Sequence, residues 1–225
     1  TLKADILDTL KYCINCRFCL PSCPRFKITT VGEVSQGASG ITRSLFYAAK
    51  WDENDKDVLT ELRDIIFSCT TCRSCEIACQ SLSTGTKLLD AIAKGRELLL
   101  EKQIGPMPEQ KKVLESLYNH GNPYMVTPRR RASVVKELNL PEFTADSEVL
   151  LYLGCSSSID QDVQKTAVAM GQILEKAGVK FGVLLDESCC GEPALKMGET
   201  ALFEEMSQKN AALFKKHKVK KVVTL

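Results

Sequence analysis

Four cysteines at the spacing C-x2-C-x2-C-x3-C occur twice in this chain, and no other feature restricts its fold as much. The stretch CINCRFCLPSCP places Cys13, Cys16, Cys19 and Cys23, followed by Pro24. The stretch CTTCRSCEIACQ repeats the spacing with Cys69, Cys72, Cys75 and Cys79, each 56 residues after its counterpart (13 to 69, 23 to 79). Arg17 and Arg73 also correspond, whereas Pro24 gives way to Gln80. This run is the ligand pattern of the bacterial-type [4Fe–4S] cluster.

The spacing has a physical reason. A cubane needs four thiolates directed at four irons. Three cysteines two apart on a tight loop can wrap three corners of one cube, and in two-cluster ferredoxins the fourth ligates the other cluster. The spacing therefore predicts crossed ligation. Cys13, Cys16, Cys19 and Cys79 hold one cluster; Cys69, Cys72, Cys75 and Cys23 hold the other. Metal then ties the two halves together and belongs to the fold. Structural zinc sites usually split their ligands into separated pairs, which these compact runs do not. Disulfides need an oxidising compartment. The N-terminal TLKADILDTLKYC has acids within it and no long apolar core, so it does not read as a signal peptide.

Composition narrows the remaining classes. The chain has 225 residues, enough for one or two domains with a real core. A net charge of +2 makes no overall electrostatic case for nucleic acid. No apolar run approaches the roughly 20 residues that span a bilayer. Eleven cysteines point to a reducing cytoplasm and to metal. Any membrane association is expected to come through a partner.

Periodicity predicts helices over 2–12, 42–50, 55–67, 87–103 and 109–120. Leu2, Ile6, Leu7 and Leu10 form the buried face of the first. Val58, Leu62, Ile65 and Ile66 form that of the third, and Leu88, Leu89, Ile92, Leu99 and Leu100 that of the fourth. The Gly-, Ser- and Thr-rich stretch 25–40 reads as loop. The triple arginine Arg129–Arg131 reads as a solvated helix start, with an anionic substrate or partner as the alternative. NLPEFTADS (139–147) reads as a boundary. It separates a helical two-cluster domain with a helical extension (1–145) from the first part of an α/β domain (146–225).

After that boundary the pattern changes to strand, helix, strand, helix, strand. EVLLYLG, VKFGVLL and KKVVTL are the strands, and 160–177 and 199–216 the helices, which together mean a parallel sheet. The basic run 215–221 sits at a helix end and complements its dipole. The three remaining cysteines follow strands. Cys155 comes after the first, and Cys189 and Cys190 come after the second. Sites on open α/β sheets gather beyond the carboxyl ends of strands, so these thiols can meet there as a metal or redox site. The alternative is that they are unrelated buried cysteines. His120 and His217 read as solvated.

Two such quartets, then a lone cysteine and a CCG, resemble the heterodisulfide reductase family. The order resembles its iron–sulfur subunits, in which a helical ferredoxin-like module precedes cysteine-rich CCG domains. Related subunits occur in anaerobic glycerol-3-phosphate dehydrogenase and in lactate-oxidising complexes. The resemblance implies an electron-transfer subunit of a multi-subunit oxidoreductase, carrying two [4Fe–4S] clusters and working with flavin or further iron–sulfur subunits in an anaerobe. It also implies that Cys155, Cys189 and Cys190 are three ligands of a further, non-cubane [4Fe–4S] cluster that cleaves a disulfide. In the family a C-x-x-C pair follows CCG. The chain stops at Leu225 where that pair is expected, and so reads as truncated. The alternative within the class is a subunit of a glycerol-3-phosphate or lactate dehydrogenase that passes electrons to quinone. A cluster-bearing sensor is the alternative from outside it, disfavoured because sensing needs only one cluster. Arg17 and Arg73, inside the two loops, read as facing solvent, with a role in raising the cluster potentials as the alternative.

Overall fold

The structure, a computed structural model, describes residues 1–28, 37–51, 54–81 and 87–225. The chain divides into two compact units. One is Thr1–Lys111 with Leu195–Glu199; the other is Lys112–Ala194 with Thr200–Leu225.

The first unit is helical. Its elements are α1 (Leu2–Leu10), α2 (Pro24–Ile28), α3 (Ala38–Trp51), α4 (Lys56–Phe67), α5 (Ser74–Ile77) and α6 (Leu88–Glu101). Thr1 caps α1 by accepting from the Ala4 N–H, and Asp55 caps α4 by accepting from Asp57 and Val58. Each cap satisfies amides that the first turn leaves without partners. Ile6, Leu10, Ile41, Leu45, Ile66, Phe67, Ile92 and Leu99 form one core drawn from α1, α3, α4 and α6. Removing each such side chain from water contributes about 1.5–3 kcal/mol. On α4 the buried stripe includes Leu59, while Val58 is 42% exposed, a shift of one position from the sequence expectation. Gly95 of α6 lets α3 approach: a Cβ there would lie 2.0 Å from Leu45 Cδ2.

The stretch 25–40, expected as loop, begins inside α2 and ends inside α3; residues 29–36 lie outside the described ones. Pro24 is the first residue of α2, where its missing N–H costs nothing. Ala38, Ser39, Gly40 and Ile41 extend α3 beyond the predicted 42–50; all four are buried, and packing there outweighs the weak propensity of Ser39 and Gly40.

Helix α7 (Pro108–His120) leads into the second unit, which continues with α8 (Pro128–Glu137), β1 (Val149–Tyr152), α9 (Gly154–Ile159), α10 (Gln161–Lys176), β2 (Phe181–Gly182), α11 (Glu192–Lys196, whose last two residues belong to the first unit), α12 (Thr200–Lys216) and β3 (Val222–Thr224). The sheet is parallel, in the order β2-β1-β3. Leu150 pairs with Gly182 on one side and Val222 on the other. The second strand is shorter than VKFGVLL suggests, because Val183 bridges to Glu142. Gly182 is required at that crossing: a Cβ there would lie 2.4 Å from the Phe143 Cα.

Val135 of α8 is buried with Leu151, Leu153, Ala167 and Val183, and Leu138 packs against them. The short helices α9 and α11 were not expected. The first carries Cys155 in its opening turn, and the second starts just after Cys190 and Gly191. Among the described residues, no helix is long and apolar enough to cross a membrane.

Candidate metal centres

The two quartets fold into loops of the same shape. The Cys13 N–H donates to the Leu10 carbonyl at the end of α1, and the Cys69 N–H to the Ile66 carbonyl near the end of α4. Asn15 and Arg17 then take φ of 54° and 65°, and Thr71 and Arg73 take 54° and 66°. Left-handed conformations at non-glycine residues are uncommon and persist only where the surroundings impose them. Two in each loop, at matching positions, curl the backbone around a hollow. The Leu20 and Glu76 amides close the turn on the Arg17 and Arg73 carbonyls, both at 2.9 Å.

The fourth cysteine of each run lies with the other run. Cys13, Cys16, Cys19 and Cys79 line one hollow. Cys23, Cys69, Cys72 and Cys75 line the other. The thiols ring hollows and do not converge on a point: among the described residues, no three His, Cys, Asp or Glu side chains are grouped to hold a single metal ion. The residues present fit a [4Fe–4S] group, with four sulfur donors on each hollow and apolar walls from Leu88 on both, joined by Leu45 and Ile92 on the second. Burial pushes the Cys19 thiol up to about 11 and the Cys75 thiol up to about 12. These thiols therefore stay protonated at neutral pH unless metal takes the place of the proton. Arg17 and Arg73 are exposed, and Arg73 lies 3.7 Å from Glu76.

Arg96 of α6 was not singled out in the sequence. Its guanidinium is buried, stacks 5.3 Å from the Phe67 ring centroid, and donates to the carbonyls of Ile66 (3.0 Å) and Cys69 (2.7 Å). It thus holds the end of α4 and the start of the second cluster loop in place. Its only sequence signal is an arginine on an otherwise apolar helical face.

In the second unit, Cys155 and Cys189, in the connections that follow β1 and β2, bring their sulfurs to 3.7 Å. Cys155 is half-buried, Cys189 buried and Cys190 exposed. Gly154 (φ 64°) and Gly191 (φ 86°) flank the group, and a Cβ on Gly191 would lie 3.0 Å from Phe203 Cδ2. The thiols share protons unequally. Hydrogen bonding with Cys189 draws Cys155 down to about 7 and Cys190 down to about 6, while Cys189 itself is raised by the same bonds. The main chain here is pinned: the Cys189 amide donates to the Gly121 carbonyl at 2.7 Å, and Asn210 Nδ2 donates to the Cys189 carbonyl at 3.0 Å. Tyr152 donates its hydroxyl to the Ser188 carbonyl at 3.0 Å, and burial raises its pKa.

Arg131 corrects the solvated reading of the triple arginine. Arg129 and Arg130 are exposed, but the Arg131 side chain is 4% exposed and lies 2.9 Å from Glu187 Oε2, whose own side chain is fully buried. Arg131 also donates to Ser158 Oγ (2.9 Å) and to the Leu185 carbonyl (3.0 Å). Glu187 Oε2 accepts from the Gly154 amide at 3.1 Å, and Oε1 has no hydrogen-bond partner among the described residues. The pair therefore joins the turn that carries Cys155 to the one that carries Cys189. Burial outweighs the neighbouring guanidinium and raises Glu187 to about 7. The sequence shows three adjacent arginines and cannot say which one turns inward. His217, expected to be solvated, is half-buried with Nε2 enclosed and without a partner among the described residues.

Residues 9–82 match the 4Fe-4S dicluster domain family, and residues 149–225 match the cysteine-rich domain family CCG. Three curated relatives are similar over most of the chain. A subunit of the dihydromethanophenazine:CoB--CoM heterodisulfide reductase of Methanosarcina mazei is 28% identical over 99% of this chain and 56% of its own length. The EtfAB:quinone oxidoreductase of Syntrophomonas wolfei is 29% identical over 98% of this chain and 35% of its own. The probable iron-sulfur-binding oxidoreductase FadF of Bacillus subtilis is 30% identical over 87% and 29%. The chain thus spans between about a third and just over half the length of these relatives. No solved structure matches it.

Proposed function

We propose that this chain, a 4Fe–4S dicluster domain joined to a cysteine-rich domain and related to a heterodisulfide reductase subunit and other iron–sulfur oxidoreductases, is the electron relay of an oxidoreductase whose chemistry is disulfide reduction. Cys13, Cys16, Cys19 and Cys79 would hold one [4Fe–4S] cluster, and Cys69, Cys72, Cys75 and Cys23 the other. Such clusters supply one-electron transfers, and a pair can gather the two electrons that a disulfide requires. The observation that carries the reading is the seating of Cys79 with the first three cysteines and of Cys23 with the second three. Cys155, Cys189 and Cys190 would contribute to the disulfide-cleaving centre. The redox partners would be flavin or further iron–sulfur subunits. The relay would work in a reducing cytoplasm and meet a membrane only through such a partner.

A second reading is favoured by the kinship to an EtfAB:quinone oxidoreductase. Here the same relay would pass electrons from a flavin subunit towards quinone, as in a glycerol-3-phosphate or lactate dehydrogenase complex.

Anaerobic iron and sulfide quantification with EPR tests both. About eight irons per chain with signals from two coupled cubanes supports the relay. A version extended through the expected C-x-x-C should then gain an unusual cluster signal on addition of thiol. No gain moves the assignment to the quinone-linked reading, and zinc in place of iron removes both.

A further inference from the structure

The two cluster loops match in backbone shape but not in charge. Arg96 is 3% exposed and its partners are main-chain carbonyls: Ile66, Phe67 and Cys69 at the second loop, and Lys196. Among the described residues no carboxylate pairs with it. Its charge therefore sits buried, 2.7 Å from the carbonyl of the first cysteine of that loop. Among the described residues, the corresponding carbonyls of the first loop face no buried cation. There, Ser81 donates a neutral hydroxyl to the Tyr12 carbonyl. Lys11, the nearest cation on that chain segment, is half-exposed and paired to Asp8 at 2.6 Å.

A second difference points the same way. Ser74 places Oγ 3.4 Å from Cys72 Sγ. Phe18 stands at the matching position of the first loop (18 to 74) and has no group to donate. Two features oppose the trend: Arg17 is an exposed cation on the first loop, and Glu76 is an acid on the second. Glu76 is paired to Arg73 and also accepts from the Leu89 amide at 2.9 Å. Arg17 faces water, where a charge acts about four times more weakly at a given distance than in a partly buried site. The buried guanidinium decides the balance.

Cluster potentials respond to net charge, hydrogen bonds to sulfur and exposure. We infer that Arg96, aided by Ser74, raises the potential of the cluster held by Cys69, Cys72, Cys75 and Cys23 above that of the cluster held by Cys13, Cys16, Cys19 and Cys79, so that electrons collect on the second. Arg96 acts here as a positioning and tuning residue, since it lies against a ligand's main chain and carries the charge. The inference rests on the cluster assignment proposed above.

The test is an EPR-monitored potentiometric titration of the whole chain carrying both clusters, beside R96M, R96K and S74F. Wild type should show two midpoints at least tenfold apart in oxidised-to-reduced ratio, which is 59 mV for a one-electron couple. R96M should lower the higher midpoint by at least that tenfold ratio and leave the lower one in place. R96K should restore more than half of the loss. S74F copies the first loop, and it should lower the same midpoint by a smaller amount. The inference is overturned if R96M moves both midpoints equally or neither, or if S74F moves the lower one. Should R96M fail to load its clusters, wild type and S74F still decide, because the higher midpoint must be the one that S74F moves. Iron content separates the two failures. Incomplete loading of wild type defeats the cluster assignment, whereas full loading with the opposite order of midpoints defeats only the role of Arg96.

Discussion

Cys155 Sγ and Cys189 Sγ lie 3.7 Å apart, in the connections that follow two strands pairing directly in the sheet. Parallel strands deliver their carboxyl ends to the same edge, so the contact follows from topology and not from sequence proximity. Cys190 shares the site and is exposed.

The difference in exposure predicts an order of thiol reactivity. The thiolate is the reacting species, and Cys190 is both exposed and drawn down to about 6 by hydrogen bonding to Cys189. Brief alkylation at pH 7 of the cluster-loaded chain should label Cys190 first, Cys155 more slowly and Cys189 last, read by peptide mass spectrometry. Rapid labelling of Cys189 would contradict the packing around it.

The buried pair of Arg131 and Glu187 predicts unequal effects along the triple arginine. Removing one partner of a buried ion pair leaves an uncompensated charge and costs about 3–5 kcal/mol. R131M should therefore destabilise by up to that amount in denaturant titration at pH 8, above the Glu187 value of about 7, and R129A and R130A by about 0.5 kcal/mol or less. Adding E187Q to R131M should recover a large part of the loss, because a neutral amide no longer needs the guanidinium.

Glu187 also predicts a pH dependence. Its folded value of about 7 lies above the ordinary 4.5, so burial favours the protonated form in the fold. The stability that this protonation contributes is fully present below pH 4.5. It is lost as pH rises through 7, up to about 3 kcal/mol at 1.36 kcal/mol per unit. Thermal melts between pH 4.5 and 7.5 should show E187Q with a flatter profile than wild type. The comparison cancels the thiols, which are common to both proteins. Parallel profiles would place the titration elsewhere.

Crossed ligation predicts a pairwise pattern of iron loss. C13S with C79S damages one hollow and should leave about four of about eight irons. C69S with C79S damages both hollows and should leave fewer. If instead C13S with C23S spares one cluster, each run holds its own.

Much of this protein was legible because its signals are local. Eight cysteines at fixed spacing specify two thiol loops, and 3.6-residue periodicity located α1, α4, α6, α10 and α12 within a few residues. Strand-helix alternation gave the parallel sheet, and the positions of Cys155 and Cys189 after strands anticipated their meeting. What the sequence could not supply were the features that depend on which face a side chain finds. Arg129, Arg130 and Arg131 are chemically identical, and only the packing of α8 turns the third towards Glu187. Val58 and Leu59 compete for one core position, and the rotation of α4 decides it. Arg96 reads as one more polar residue on a helix until the end of α4 and the start of the second loop arrive around it. Spacing determines which ligands a loop can offer, because bond geometry acts over a few residues. Burial of a charge depends on groups distant in sequence, and so only the tertiary structure decided it.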